Sequence, residues 1–270
     1  MEQLKRIVQA APLTDDALVN VVREYLQVLV LKLLFHGKGG RALSFVGGTC
    51  LRICYDLKRY SEDLDFCLDA PTANYQFAPL LRGVRQALQQ RGFIVTATIH
   101  EEKIVQKAFL RFDGFHEALG IRGFRQGQKI HLKVEVDAKP LVLRANERES
   151  VFVSRFQEIF PIVKHNLATL FAGKVLAILY RPYTRGRDYY DLIWYLNRKA
   201  PLNLEYLNRG QRRPSFASLR DVVAALTAKV TAVKPQLLLK DISRFLEDPS
   251  EAAWIADYQQ LFRQLVQQWG

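Results

Sequence analysis

Two aspartates spaced two apart, Asp63 and Asp65, carry the clearest chemical signal in the sequence. In SEDLDFCL, apolar Leu64, Phe66 and Leu68 alternate with Asp63, Asp65 and Cys67, which is the period of a strand with one apolar and one acidic face. The stretch HLKVEVDAKP repeats the pattern, with Leu132, Val134 and Val136 alternating with His131, Lys133, Glu135 and Asp137. Glu135 and Asp137 therefore share a polar face, and a neighbouring strand sets them beside the first pair. Carboxylates gathered in this way repel one another, and a divalent cation relieves that repulsion. Oxygen-only ligation suits Mg²⁺ or Mn²⁺ better than zinc. Taken alone, D-x-D fits the solvent face of an edge strand at least as well.

Gly47-Gly48-Thr49 shifts that balance. The triplet follows an apolar strand, Leu43 to Val46, and precedes a short helix in CLRICYDL. Main-chain N–H groups at such a strand-to-helix turn can face a phosphate, glycines permit close approach, and the threonine hydroxyl adds a donor. A helix of about two turns then returns the chain to the Asp63/Asp65 strand, so a phosphate cradle and a cation site become neighbours.

Further along, Lys174 stands in the apolar run FAGKVLAILY. It is either a lysine reaching past its neighbours to solvent or a point charge for phosphates, stabilising a leaving pyrophosphate. Arg181, Arg185 and Arg187 interleave with Tyr180, Tyr183, Tyr189 and Tyr190, a pattern suited to base stacking with phosphate contact. The plainer reading has the tyrosines anchoring a helix and the arginines pairing with Asp188 and Asp191. Arg209, Arg212 and Arg213 form a second basic cluster, read as a solvated loop before an RNA path. His100, His116, His131 and His165 are scattered, so a hydrolase built on a histidine triad has no support.

The elements that position these residues can be read from periodicity. A helix capped at Thr14 runs to the Gly37–Gly40 break. A second amphipathic helix spans residues 77–91, and strands are expected at Phe93–Ile99, Val105–Phe112 and Ile130–Ala138. From Lys164 the period turns helical: HNLATLFAGKVLAILYR, then RDYYDLIWYLNR, then helices near Ala217–Val230, Leu237–Glu247 and Ala252–Gln268. This order predicts an α+β fold, with an α+β domain over 1–160 and a helical domain over 161–270, the boundary falling near 150–165. The 270 residues are 49% apolar, carry a formal charge of +12 and contain three cysteines. The Leu26–Phe35 apolar run is too short to cross a bilayer, and MEQLKRIVQAAPLTDD lacks the order of a signal peptide. Together these features point to a soluble cytoplasmic protein with no membrane partner. Residues 71–200 hold a net +10, which suits a polyanion such as RNA or nucleotide phosphates and equally a solvated basic surface.

FVGGTCLRICYDLKRYSEDLDF resembles the signature of the AbiEii/AbiGii-type nucleotidyltransferase toxins, within the polymerase-β-like nucleotidyltransferase superfamily. KVEVDAKP and GKVLAILYRPYTRGRDYYDL resemble that family's later motifs, in the same order. The resemblance implies a polymerase-β-like domain with a mixed sheet, followed by a helical domain that contributes nucleotide and RNA contacts. It implies that Asp63, Asp65 and Glu135 are catalytic metal ligands, with Asp137 as second choice for the third. Gly47, Gly48, Thr49 and Ser61 fall on the nucleotide-binding signature, as do Lys174, Arg181, Asp188 and Asp191 on the later one, and Lys174 counts as catalytic as well. The implied chemistry is Mg²⁺- or Mn²⁺-dependent transfer of NMP from an NTP to an RNA acceptor such as a tRNA 3′ end, blocking translation, with a cognate antitoxin as partner. Transfer to a protein hydroxyl, and a non-catalytic RNA- or partner-binding module, are the alternatives.

Overall fold

The computed structural model describes residues 2–9, 15–70, 74–115, 119, 127–210 and 215–269. The expected cap at Thr14 lies outside these residues, as do His116, Arg212 and Arg213. Seven strands form one mixed sheet: β1 (Leu43–Val46), β2 (Asp63–Leu68), β3 (Ile94–His100), β4 (Val105–Asp113), β5 (Ile130–Asp137), β6 (Arg148–Arg155) and β7 (Glu158–His165). Their order is β3-β4-β5-β2-β1-β7-β6. β2 runs parallel to β5 and antiparallel to β1, so the two acidic strands are direct neighbours at the middle of the sheet.

Alternation in the sequence decides which face is buried. Leu64, Phe66, Val134 and Val136 are buried on one side, while Asp63, Asp65 and Glu135 are only half-buried on the other. The buried side packs against α2 (Asp15–His36), which follows the short α1 (Glu2–Gln9). Phe66 sits 5.3 Å from Phe45 and 6.2 Å from Phe35 of α2, measured between ring centroids. Each such side chain removed from water contributes about 1.5–3 kcal/mol, and a one-residue slip of β2 would forfeit all of it. The core therefore enforces the register that displays the acids.

Among the described residues, this part of the chain also holds α3 (Gly47–Tyr55) and α4 (Phe77–Gln90). The helical remainder comprises α5 (Leu167–Tyr180), α6 (Gly186–Asn197), α7 (Leu204–Gly210), α8 (Leu219–Ala232), α9 (Pro235–Ile242), α10 (Ala252–Ala256) and α11 (Tyr258–Trp269). By compactness the chain forms two units. The first contains Met1–Asp56, Tyr60–Val142 and Glu149–Lys164; the second contains Leu57–Arg59, Leu143–Arg148 and His165–Gly270. In the second unit, Asn166 caps α5 by accepting the Thr169 N–H at 2.9 Å. Phe171 of α5 stacks on Tyr195 of α6, with centroids 4.3 Å apart. Gly186 opens α6 where a Cβ would stand 2.6 Å from the Leu238 carbonyl of α9, so only glycine permits that approach.

Several elements differ from the sequence reading. The helices Glu2–Gln9 and Leu204–Gly210 are not among those expected, and the expected Leu237–Glu247 helix is Pro235–Ile242. Residues 148–165 form β6 and β7, whose connection places Phe156 and Gln157 at φ +52° and +61°. Two-residue hairpin turns of that hand normally advertise themselves through Asn or Gly, and neither is present here. The expected Ala252–Gln268 helix divides at Asp257 into α10 and α11. No single helix among the described residues is long and apolar enough to cross a membrane.

Candidate active site

The β2–β5 register pairs Asp63 with Lys133, Asp65 with Glu135 and Cys67 with Asp137. Partners in a ladder project to the same side, so these six side chains form one face. β4 adds Lys107 opposite Glu135. Lys133 Nζ stands 3.2 Å from Asp63 Oδ2 and 2.7 Å from Glu135 Oε2, and Lys107 Nζ stands 2.9 Å from Glu135 Oε1. Partial burial favours the neutral form of Glu135, but the two ammonium groups overcome it and hold the carboxyl below its ordinary value. Burial likewise works against the charge on Lys133, and Glu135 and Asp63 reverse that, raising it. Among the described residues, Asp63, Asp65 and Glu135 do not bring all three ligand oxygens within 4.8 Å of one another. The ammonium of Lys133 sits between two of them, a cation already bridging a face of hard oxygen donors.

Asp137 lies one ladder step further on, opposite Cys67, and its Oδ1 accepts from the Lys139 N–H at 3.0 Å. Burial, followed by the charges of Asp69, Asp137 and Asp65, pushes the Cys67 thiol far up, so it stays protonated beside these acids. The register thus stands Glu135, rather than Asp137, next to Asp65.

The glycine turn meets the same face. Val46 pairs with Asp65, and α3 begins at the next residue, so Gly47, Gly48 and Thr49 form the first turn of that helix rather than a loop before it. Main-chain N–H groups in a first turn have no partner within the helix. Gly47 holds φ +79°, and a Cβ there would overlap Asp65 Oδ2 and stand 3.1 Å from Asp65 Cβ, so any side chain would displace the carboxylate. Thr49 is buried and its hydroxyl donates to the Asp63 carbonyl, tying the turn to β2; what it can offer a ligand is its main-chain N–H. Arg52 fixes the helix from below. Its Nε donates to Glu24 of α2 at 3.0 Å, and its guanidinium lies 4.6 Å from the Tyr60 ring centroid. Ser61 precedes β2, with its carbonyl accepting from Gln27 Nε2 at 3.0 Å.

The remaining expected residues gather within the helical unit. Lys174 Nζ lies 2.8 Å from Asp188 Oδ1 and 2.7 Å from Asp191 Oδ2. Arg59 grips Asp191 with two bonds of 2.7 Å, and Arg181 pairs with the other oxygen of Asp188. The result is an alternating chain, Arg59–Asp191–Lys174–Asp188–Arg181, with one positive charge in excess. Arg59 and Asp191 are almost fully buried, and Arg181 at the other end is the most exposed of the five. Burial opposes the charge of Asp191, but Arg59 and Lys174 outweigh it and keep the carboxyl below its ordinary value. Lys174 is held above its own, burial being outweighed by Asp188 and Asp191. The two acids are therefore committed to holding cations. Arg187 lies 4.6 Å from the Phe245 ring, and Arg209 pairs with buried Glu147 at 2.6 Å, so both serve packing.

Lys133, Lys107 and Arg59 escaped the sequence reading as functional residues. Lys133 was visible on the polar alternation of HLKVEVD, and Arg59 as the basic residue of R-Y-S-E-D-L-D-F. Only the ladder and the distant α6 show what each one holds.

A family model described as the nucleotidyl transferase AbiEii toxin of a type IV toxin–antitoxin system matches residues 30–268. Two solved structures from Helicobacter pylori share the fold. One, described as a candidate nucleotidyltransferase, is 18% identical with a TM-score of 0.57, covering 92% of this chain and 95% of the other. The second, the protein JHP933, is 19% identical with a TM-score of 0.55, covering 92% and 94%. Comparison with curated proteins finds no match.

Proposed function

Because the chain belongs to the AbiEii family of nucleotidyltransferase toxins, we propose that it transfers NMP from an NTP to an RNA acceptor such as a tRNA 3′ end, in the cytoplasm, and so blocks translation. Membership implies a nucleotide substrate and an antitoxin partner. The observation that carries the site assignment is the β2–β5 register, which stands Glu135 beside Asp65 while the first turn of α3 abuts the same carboxylate.

Asp63, Asp65 and Glu135 are a fitting donor set for a divalent cation, since the face is oxygen-rich and already draws an ammonium. A bound Mg²⁺ or Mn²⁺ supplies phosphate charge neutralisation and a lowered pKa for the attacking hydroxyl. The N–H groups of Gly47, Gly48 and Thr49 hold phosphate oxygens in their preset turn, with Ser61 at the adjoining nucleotide contact. Lys174 and Arg181 supply positive charge for the phosphates from the helical domain, over 161–270. Asp188 and Asp191 position Lys174, keeping it protonated and aimed. In-line attack on the α-phosphate then requires placement above all, with pyrophosphate as the leaving group.

The test is a labelling grid. Each of the four NTPs, labelled at the α-phosphate, is incubated with the protein, Mg²⁺ or Mn²⁺, and either total RNA or the antitoxin. Label on a discrete RNA species is the expected result. Label confined to protein favours transfer to a protein hydroxyl, and label on neither overturns the nucleotidyl-transfer assignment.

A further inference from the structure

A cavity of about 210 Å³ opens within the helical unit, where the Arg181–Arg185 turn between α5 and α6 faces the last turn of α8. Its wall holds three cations, Arg181, Arg185 and Lys229, against one carboxylate, Asp188, which Lys174 and Arg181 already neutralise. Lys229 forms no ion pair among the described residues. At the mouth, Tyr183 is 63% exposed, and the Arg181 guanidinium lies 5.5 Å from its ring centroid. Tyr180, on the preceding turn, is also exposed.

We propose that this cavity binds one nucleotide of a single-stranded RNA acceptor, its phosphate held by Lys229 and Arg185 and its base stacked on Tyr183. The inference rests on the nucleotidyl-transfer reading and adds to it a place for the acceptor strand. Three features select this ligand. The excess positive charge on the wall demands an anion. The volume, room for about seven waters at ~30 Å³ each, admits a phosphodiester and part of its sugar but not a whole nucleoside triphosphate. A large ring left open to solvent beside a guanidinium is the platform on which unpaired bases stack regardless of sequence.

The experiment measures binding of a fluorescein-labelled single-stranded oligoribonucleotide by anisotropy across a salt series, and NTP binding by calorimetry in parallel. Wild type, Lys229→Gln, Tyr183→Ala and Tyr183→Phe are compared after circular dichroism confirms their fold. Tyr183→Ala should weaken strand binding about tenfold, while Tyr183→Phe keeps it near wild type because the stacking face survives. Lys229→Gln should weaken it several-fold and lower the log–log salt slope by about 0.7. NTP affinity should be unchanged in all three. Strand affinity within twofold of wild type in both Lys229→Gln and Tyr183→Ala would overturn the proposal, as would loss of NTP affinity with strand binding intact. If the variants lose strand binding yet wild type labels no RNA, the strand site stands and the transfer reading falls.

Discussion

The two charged regions of this protein solve opposite problems. On the β2–β5 face, acids and lysines meet on half-exposed strands, and Asp63 and Glu135 are balanced by flexible ammonium groups on neighbouring positions. In the helical unit, Asp191 is fully buried and gripped by a rigid, bidentate guanidinium. A lysine at a half-exposed site can withdraw into water at little cost, whereas a buried ion pair, once assembled, is strongly penalised when one member is lost. The first arrangement leaves its carboxylates open to exchange partners. The second uses its carboxylates as fixed scaffolding.

The sharpest way to break this contrast is to neutralise each region in turn. Asp63→Asn with Asp65→Asn should lower nucleotide transfer by about 10³-fold or more, because transition-state charge is left unbalanced. The thermal midpoint should hold or rise, since like charges are removed from one face. Labelled-NTP transfer and a melting curve together check it. Arg59→Met should do the reverse kind of damage, destabilising the fold by about 3–5 kcal/mol as Asp191 loses its buried partner. Arg59→Met with Asp191→Leu should recover much of that loss in chemical denaturation, and failure to recover would show the pair does more than neutralise itself.

A finer test concerns Lys133. If its ammonium occupies a place that a divalent cation would take, Lys133→Met should tighten Mn²⁺ binding by about three- to tenfold. Calorimetry or electron paramagnetic resonance on the nucleotide-free protein measures this directly. Weaker or equal binding would mean that Lys133 orients the acids without competing. The smallest effect is in pH. Asp191 is depressed from its ordinary 3.8, so its contribution to stability is present above that value and lost as pH falls through the lower folded value. Lys174 is raised above 10.5, so its contribution is full below 10.5 and lost as pH rises through the folded value. Denaturation midpoints should therefore be insensitive to this chain of charges between about pH 5 and 10, and Asp191→Asn should flatten the acid limb.

Strand alternation made β1, β2 and β5 readable almost to the residue, because a single buried face punishes any slip. The glycine triplet was likewise legible, although its absorption into the helix was not, since a left-handed Gly47 against Asp65 depends on the β1–β2 pairing. β6 and β7 escaped notice because Phe156 and Gln157 turn the chain without the residues that usually mark such a turn. The functions of Lys107, Lys133 and Arg59 depend on partners 28, 70 and 132 positions away for Lys107–Glu135, Lys133–Asp63 and Arg59–Asp191 respectively. Local periodicity carries no trace of pairings at that range.

The helical unit recruits Leu57–Arg59 and Leu143–Arg148 from within the stretch that otherwise builds the sheet. No single scissile point therefore yields two self-sufficient fragments. A truncation after residue 164 would strand Arg59 without Asp191 and Glu147 without Arg209. Engineers who wish to exchange the helical portion between relatives must carry both short inserts with it, and a ribosome that has made only about the first three-fifths of this polypeptide holds a product whose charges wait for the remainder.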